Sequence, residues 1–204
     1  FNEGEEFPFG QKTENCKARV CFDTLNKKID IEKVKKETED FNSENKLFKK
    51  GFALMPICFG ISFTNTMLNQ ASSLVHVYND GSVGVSTGAV EMGQGVNMKI
   101  RQIAASVFGI DVSNIKSETT NTTRNANTSA TAASSGADMN GNATLIACRN
   151  ILERLVKFYK TKNNLEETDI VEIQHEKVYL NGVEREETWK ELVMQSYMNR
   201  IDLS

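Results

Sequence analysis

A glycine-rich bend lies between a predicted β-hairpin and a predicted helix. The bend is Glu91-Met92-Gly93-Gln94-Gly95, the hairpin is predicted over residues 74–87 and the helix over residues 96–108. A bend that leads from a strand into a helix N-terminus is expected to bring unblocked backbone N–H groups close to a ligand, which suits a phosphate or a polar cofactor. This bend is therefore the first candidate site, although an ordinary tight turn is the more common use of such a sequence.

Two side chains of the bend are suited to binding chemistry. Gln94 carries an amide that offers two donors and an acceptor to a heterocycle. Glu91 places a carboxylate near the site, but an acidic residue favoured by the dipole of the following helix explains it as well. The glycines Gly88, Gly93 and Gly95 match neither the dinucleotide-binding fingerprint nor the P-loop. No catalytic acid or base can be chosen from spacing alone.

The cysteines and histidines argue against a zinc site. The four cysteines are irregularly spaced without a Cys-x-x-Cys pair, and the two histidines lie far from them in the sequence. His76 falls in a predicted strand and His175 in a polar stretch, so each is interpreted as structural or exposed. The cysteines are typical of reduced thiols in a cytosolic protein. The predicted location is cytoplasmic, with the peroxisome as the alternative.

Composition limits the partners and the number of domains. The 204 residues predict one domain or two small ones, and a hydrophobic share of 39% is enough for a core. The formal net charge of -3 gives no reason to expect nucleic acid, and no apolar run is long enough to span a membrane. The chain starts at Phe1 in a turn-like acidic stretch, which suggests a piece of a longer protein.

Hydrophobic periodicity predicts an α/β (α+β) fold in which helices pack on a mixed sheet. Helices are predicted over residues 14–27 with Thr13 as cap, from residue 31 onward, and over 96–108, 137–159 and 187–197. A strand is predicted over residues 52–63, a hairpin over 74–87, and a strand pair over 171–173 and 177–183 with a turn signal at Asn181-Gly182. The Ser-, Thr- and Asn-rich stretch over residues 117–136 has the composition of a flexible linker. The N-terminal 48 residues are expected to form a helical part, and residues 49–204 an α/β part.

Five segments together resemble, in order and spacing, the molybdenum-binding portion of the xanthine dehydrogenase and aldehyde oxidase family. They are Phe59-Gly60-Ile61-Ser62-Phe63-Thr64, Leu68-Asn69-Gln70, residues 75–83, Glu91-Met92-Gly93-Gln94-Gly95 and Thr131-Ala132-Ala133-Ser134. The resemblance covers nearly the whole chain, and its ordered set of motifs is far more specific than any one of them. It implies a molybdenum hydroxylase whose molybdopterin carries the chemistry while the protein supplies position and hydrogen bonds.

The resemblance implies five cofactor-binding residues. Met92, Gly93 and Gln94 fall where the family contacts the pterin. Ala133 falls beside the molybdenum, through its backbone, and Ser134 next to it holds the pterin. Small residues suit this place because backbone and metal must approach closely. The polar stretch over residues 117–136 is then an ordered cofactor loop rather than a linker.

The resemblance also implies a purine pocket. Phe63 falls where a ring stacks on the purine, and Thr64 where a hydroxyl group bonds it. Phe63-Thr64 and Thr131-Ala132-Ala133-Ser134 look like the xanthine dehydrogenase branch, with an aldehyde oxidase or a non-catalytic module as alternatives. The chain departs from the family at Asn125-Ala126-Asn127, where Val-Pro-Asn is common, and losing the proline is expected to loosen that loop.

The remaining parts of such an enzyme are expected outside these residues. The resemblance implies that the catalytic glutamate lies beyond Ser204 and that no catalytic residue is in this segment. It further implies 2Fe-2S clusters, FAD and NAD in the rest of the parent chain. The expected partners of this segment are the rest of the parent chain and, in a homodimer, a second copy of the enzyme. The segment alone is expected to have no turnover.

Overall fold

The computed structural model describes residues 2–55, 57 and 59–204, in two compact units, Phe1–Phe59 and Gly60–Ser204. The first unit contains helices α1 (Ala18–Ile29) and α2 (Ile31–Glu44). Asp30 separates the two helices in a left-handed conformation with φ of 42°, and its carboxylate accepts the N–H of Lys33 to cap α2. Both helices of the N-terminal part are therefore where periodicity predicts them, but α1 begins four residues later than expected.

Thr13 does not cap α1, so that prediction is wrong. Its hydroxyl group instead donates to the carbonyl oxygens of Asn2 and Glu5, at 2.5 and 3.0 Å, and the residue is buried. The side chain closes a small N-terminal turn that brings Glu6 and Lys12 together as a β-bridge. A hydroxyl group satisfied by this turn is not available to the first N–H groups of a helix.

The strand predicted over residues 52–63 is also wrong for the described residues of that range; Pro56 and Cys58 lie outside them. Strand structure requires a neighbouring ladder, and no ladder forms among the described residues of this range. The N–H of Ser62 donates to the carbonyl oxygen of Ala133 at 2.9 Å, and Ser62 has a φ of 74°, which no strand tolerates.

The second unit begins with a mixed three-stranded sheet. Strands β1 (Ser73–Val77) and β2 (Val83–Thr87) form the predicted antiparallel hairpin, with Val75 opposite Val85. The turn has Gly81 at a φ of 85°, and the Asp80 carboxylate accepts the N–H of Ser82 at 2.9 Å. Strand β3 (Ile115–Ser117) pairs parallel with β2. Helix α3 (Val96–Phe108) makes the crossover that a parallel pair requires.

Helices α3 and α4 (Gly136–Lys162) pack closely on one another and on this sheet. At Gly141 a Cβ atom would come within 2.8 Å of Ile103 Cδ1, so a larger residue would require the end of the Ile103 side chain to move. The core between helices and sheet is almost fully apolar; its largest completely enclosed side chains include Phe108, Ile115, Ile151 and Leu155. The predicted fold class, helices packed on a mixed sheet, is confirmed.

A second, antiparallel sheet follows, made of β4 (Val171–Gln174), β5 (Lys177–Leu180) and β6 (Val183–Thr188). The turn at Asn181-Gly182 is confirmed, with both residues at positive φ. Strand β6 was not predicted as a separate strand because its run of charged residues lacks the alternation of a half-buried strand. Helix α5 (Trp189–Met198) begins with a capping box between Thr188 and Glu191.

Aromatic side chains connect the two sheets of this unit. Trp189 donates its indole N–H to the carbonyl oxygen of Gly81 at 2.8 Å, and its ring lies 5.2 Å from that of Phe108. The first residue of α5 is thereby fixed to the turn of the first hairpin and to the end of α3. Within the described part of the chain, no helix combines the length and the apolar character needed to cross a bilayer.

Cys148 is expected to resist alkylation in the folded protein. It is fully enclosed in α4, and burial raises the pKa of its thiol to about 12, so the reactive thiolate is scarce at pH 8. Iodoacetamide at pH 8 should therefore modify the exposed Cys21 and leave Cys148 intact until denaturant is added. Peptide mass mapping measures both sites, and equal modification of the two in native protein would contradict the buried placement.

Candidate functional site

Two loops that are distant in sequence meet beside the N-terminus of α3. The first covers residues 88–95 and the second residues 118–135. The N–H of Val90 donates to Thr131 Oγ1 at 2.9 Å, across 41 residues of sequence. The hydroxyl group of Thr120 reaches the carbonyl oxygens of Thr87 and Ala89, at 3.1 and 2.8 Å. The second loop is thus bound along one side to β2 and to the start of the first loop, just before the glycine-rich bend.

The segment over residues 62–72 holds the other side of the second loop. Four contacts do this: Ser62 N–H to Ala133 O at 2.9 Å, Ser129 N–H to Gln70 O at 3.0 Å, Gln70 N–H to Ser129 Oγ at 3.0 Å, and Ser72 Oγ to Asn125 Oδ1 at 3.1 Å. Short polar side chains such as that of Ser129 accept backbone N–H groups that would bond to a neighbouring strand in a sheet. These bonds favour the ordered loop over the flexible linker suggested by its composition.

Asn125 takes part in this anchoring where the resemblance leads one to expect a different sequence. It is buried, and its Oδ1 accepts the hydroxyl group of Ser72, while Asn127 two residues later has a φ of 57°. A side-chain contact therefore fixes the loop where a proline would restrict its backbone. Among the described residues, Asn125 Nδ2 finds no hydrogen-bond partner, so the substitution leaves one buried donor unsatisfied.

The carboxylate of Glu91 occupies the backbone N–H groups of the bend. Its Oε1 accepts from Gly93 and Gly95, both at 2.9 Å, and its Oε2 accepts from Asn97 at 3.0 Å. The prediction of unblocked N–H groups is therefore wrong for these three. The signal was in the sequence, since a carboxylate a few residues before a helix is a standard partner for its first N–H groups.

These hydrogen bonds lower the pKa of the Glu91 carboxyl group. The bond from the Asn97 N–H has the largest effect on this pKa, followed by the bond from the Gly95 N–H. A lowered folded-state pKa means that the ionised form stabilises the fold. This contribution is complete above the pKa of the unfolded chain and disappears as the pH falls through the folded value. The bend is consequently expected to loosen in acid rather than in base.

The Gln94 side chain lies across the bend. Its Oε1 accepts the N–H of Met92 at 2.6 Å, and its Nε2 donates to the carbonyl oxygen of Val90 at 2.8 Å. The amide that the sequence assigns to a ligand is thus bonded within its own loop. The role of Gln94 in cofactor binding stays a prediction, and it requires exchange of one internal bond for one to the ligand.

A cavity of about 460 Å³ opens between the two loops. Three residues assigned to cofactor binding line it, namely Met92, Gln94 and Ser134. Six others were not assigned that role: Val96, Lys99, Thr131, Ala132, Gly136 and Ala137. Ligand pockets commonly measure about 300–1,000 Å³, so the space suits a cofactor-sized molecule. Small side chains on the α4 side leave it open, and amide, hydroxyl and ammonium groups line it.

Ala133 and Ser134 have an unusual backbone. Both are left-handed, with φ of 53° and 54°, although neither is glycine. This conformation costs about 1–2 kcal/mol per residue. Backbone strain of this kind concentrates at functional sites, where surrounding contacts enforce it. One such contact is the bond from Ser62 to the Ala133 carbonyl oxygen.

Phe63 and Thr64 lie on the neighbouring segment and do not line this cavity. Asn69 fixes the backbone of Phe63 with two bonds, accepting from its N–H at 2.9 Å and donating to its carbonyl oxygen at 3.0 Å. Phe63 is half-buried and Thr64 is exposed. The bond from Ser62 to Ala133 connects this segment to the strained loop. The structure thus places the predicted substrate segment beside the predicted cofactor loop, but Phe63 and Thr64 lie outside the cavity.

Comparison with known proteins identifies the family of the chain. The model of the molybdopterin cofactor-binding domain family matches residues 24–204. The chain is 38% identical to xanthine dehydrogenase of Oryza sativa subsp. japonica over 203 residues, all of this chain but 13% of that protein. It is 45% identical to xanthine dehydrogenase/oxidase of Gallus gallus over 155 residues, 76% of this chain and 11% of that protein.

Solved structures show the same fold at lower identity. Quinoline 2-oxidoreductase from Pseudomonas putida 86 superposes with a TM-score of 0.74 at 18% identity, covering 98% of this chain and 27% of that one. The chain spans about an eighth of the length of the xanthine dehydrogenase of Oryza sativa, given its 13% share. The predicted resemblance and the predicted cofactor class are confirmed: the chain belongs to the molybdopterin cofactor-binding domain family, and its relatives are xanthine dehydrogenases.

Proposed function

We propose that this chain forms one wall of the molybdopterin pocket in a purine-oxidising molybdenum hydroxylase that converts hypoxanthine to xanthine and urate. The observation that carries the proposal is the cavity between residues 88–95 and 131–137, where Met92, Gln94 and Ser134 converge. These residues come from the two motifs to which the family resemblance assigns the cofactor. Their meeting in one space of suitable size supports a shared ligand.

Within this pocket the chain's residues would hold the cofactor by neutral hydrogen bonds and one charge. Gln94, Thr131 and Ser134 offer amide and hydroxyl groups, and Gly93 offers its backbone carbonyl oxygen close to them, since its N–H is bonded to Glu91. Lys99 lines the cavity and, among the described residues, its ammonium group has no hydrogen-bond or ion-pair partner. Lys99 is exposed, and its positive charge at the edge of the cavity suits an anionic part of the ligand.

Ala133 has no side-chain atom that can coordinate a metal, so its proposed place beside molybdenum is one of close approach. Its methyl group takes little space, and its carbonyl oxygen is already bonded to Ser62. When bound, the cofactor supplies the redox centre at which an electron-poor carbon of the substrate is hydroxylated. The protein contributes position and shape at this point.

The substrate segment would take a flat heterocycle. The Phe63 ring, held by the two Asn69 bonds, gives a stacking face with little loss of side-chain freedom, and Thr64 offers an exposed hydroxyl group. The names of the relatives favour purines over aldehydes, and an aldehyde oxidase-like enzyme or a non-catalytic module are the other candidates. The base glutamate, the 2Fe-2S clusters, FAD, NAD and a homodimer contact would belong to the rest of a cytoplasmic parent protein.

The test uses the full-length protein that contains this chain. Metal analysis and the fluorescence of the oxidised pterin are expected to give about one molybdenum and one pterin per polypeptide. Turnover with xanthine should exceed turnover with an aromatic aldehyde. Faster aldehyde oxidation would replace the purine proposal by the aldehyde oxidase alternative, and protein lacking both molybdenum and pterin would favour a non-catalytic module.

A further inference from the structure

We propose that Glu91 is a positioning residue that fixes the glycine-rich bend in the shape needed to retain the cofactor. This inference rests on the proposed function and adds a role for a side chain that does not line the cavity. Glu91 acts through the backbone of Gly93 and Gly95, its direct hydrogen-bond donors. Gln94 lies between these two glycines and lines the pocket.

The bend needs such a constraint because of its two glycines. Gly93 and Gly95 have φ of 102° and 78°, and a Cβ atom at either position would meet nothing within 4 Å. They are therefore required for backbone conformation rather than for close packing. Glycine also has the greatest conformational freedom of any residue, so an unsupported bend with two glycines in three positions would populate many shapes.

The carboxylate of Glu91 selects one of these shapes. It receives three N–H groups on two oxygen atoms, from Gly93 and Gly95 on Oε1 and from Asn97 on Oε2. Hydrogen bonds to an ionised acceptor are stronger than neutral ones. They connect both glycines to the first turn of α3, whose position is fixed by the buried Val96 and Ile100. The bend thereby takes its geometry from the rigid helix.

Glu91 also makes the Gln94 contact possible. With the bend closed, Gln94 Oε1 lies 2.6 Å from Met92 N and its Nε2 lies 2.8 Å from the Val90 carbonyl oxygen. The N–H of Val90 in turn bonds to Thr131 of the second loop. A bend that opens would move Gln94 away from the cavity and release the contact between the loops. Outer residues that orient direct ligands commonly contribute about 10–100-fold to metal affinity or activity.

Three variants of the full-length protein test this role. Glu91→Ala removes the acceptor, and Glu91→Gln keeps Oε1 while turning an NH₂ group toward the N–H of Asn97. Glu191→Ala is the matched control, because Glu191 is another exposed glutamate whose carboxylate accepts a backbone N–H at a helix start, that of Thr188, the N-cap residue of α5. Glu191 lines no part of the cavity.

Each variant is measured for bound molybdenum, bound pterin and thermal midpoint. Glu91→Ala is expected to retain about tenfold less pterin and molybdenum than wild type, with Glu91→Gln intermediate and Glu191→Ala at the wild-type level. A purely structural role predicts instead that both alanine variants lower the midpoint and keep their cofactor. Wild-type pterin content in Glu91→Ala would overturn the inference.

Two further outcomes can be distinguished from these. If Glu91→Ala does not accumulate as folded protein, Glu91→Gln decides the question, and wild-type pterin content in that variant overturns the inference. If the wild-type protein itself lacks molybdenum and pterin, the proposed function fails, and this result is distinct from a variant that differs from a loaded wild type.

Discussion

Replacing Gly109 by alanine is expected to destabilise the protein by about 2–5 kcal/mol. Gly109 ends α3 in the left-handed region with a φ of 63°, and a Cβ atom there would overlap the carbonyl group of Ile173 in β4. The obstacle is backbone, which cannot rotate away as a side chain would. The Gly109 carbonyl oxygen also accepts the N–H of Glu176 at 2.9 Å, so displacement of this residue disturbs the second sheet.

Gly182→Ala is the matched control for Gly109→Ala. Gly182 has a similar φ of 79°, but a Cβ atom at this position meets nothing within 4 Å. Its substitution should cost only the left-handed conformation, about 1–2 kcal/mol. Thermal denaturation measures both variants, at about 2–4 °C per kcal/mol for a domain of this size. Equal midpoints for the two would show that the contact with Ile173 does not limit residue 109.

The second large effect is expected at Gly88, where a side chain would collide with Thr128 of the second loop. A Cβ atom there would lie 2.7 and 2.8 Å from the Cβ and Cγ2 atoms of Thr128, and closer still to its Oγ1. Gly88→Ala should therefore push the loops apart, with an overpacking cost of about 1–3 kcal/mol. The bond between Val90 and Thr131 would lengthen, so the full-length variant should lose most of its pterin.

Shortening the opposing side chain provides the control for Gly88→Ala. Thr128→Gly removes all three of the atoms that the new Cβ would meet. The double variant should regain part of the thermal midpoint and part of the pterin lost by Gly88→Ala, although the added glycine keeps the loop less stable. Pterin fluorescence and thermal denaturation are measured on the same samples. If the double variant regained neither pterin nor thermal midpoint, the contact with Thr128 would not be the cause of the loss in Gly88→Ala.

Local chemistry made much of the fold predictable. The hairpin follows from Asp80-Gly81, because aspartate and glycine suit the backbone of a tight turn. Helix α3 follows from its apolar spacing and from the glycine that ends it. Such signals lie within a few residues of the structure they determine. The predicted strand over residues 52–63 failed because an apolar run carries no information about whether a partner strand exists.

The site was predictable by composition and resemblance but not by geometry. The meeting of the two loops depends on bonds such as that between Val90 and Thr131, which are 41 residues apart. Nothing near Val90 in sequence indicates this partner. Glu91 differs from Val90, because all of its partners lie within six residues in the sequence. A carboxylate at this position nevertheless suits several local roles. Only the observed oxygen-to-nitrogen distances select one of them.

The position of Trp189 gives this chain a built-in optical probe. It is the only tryptophan among the 204 residues, and its indole group bonds to the hairpin turn while its ring packs near Phe108. Indole emission depends on the polarity around the ring, and this ring is 3% exposed. Its fluorescence in this chain therefore reports whether the hairpin, the end of α3 and α5 remain assembled. Trp189 does not contact the loops of the pocket, so its fluorescence does not report on them. Loss and rebinding of the cofactor there would have to be followed by the fluorescence of the pterin.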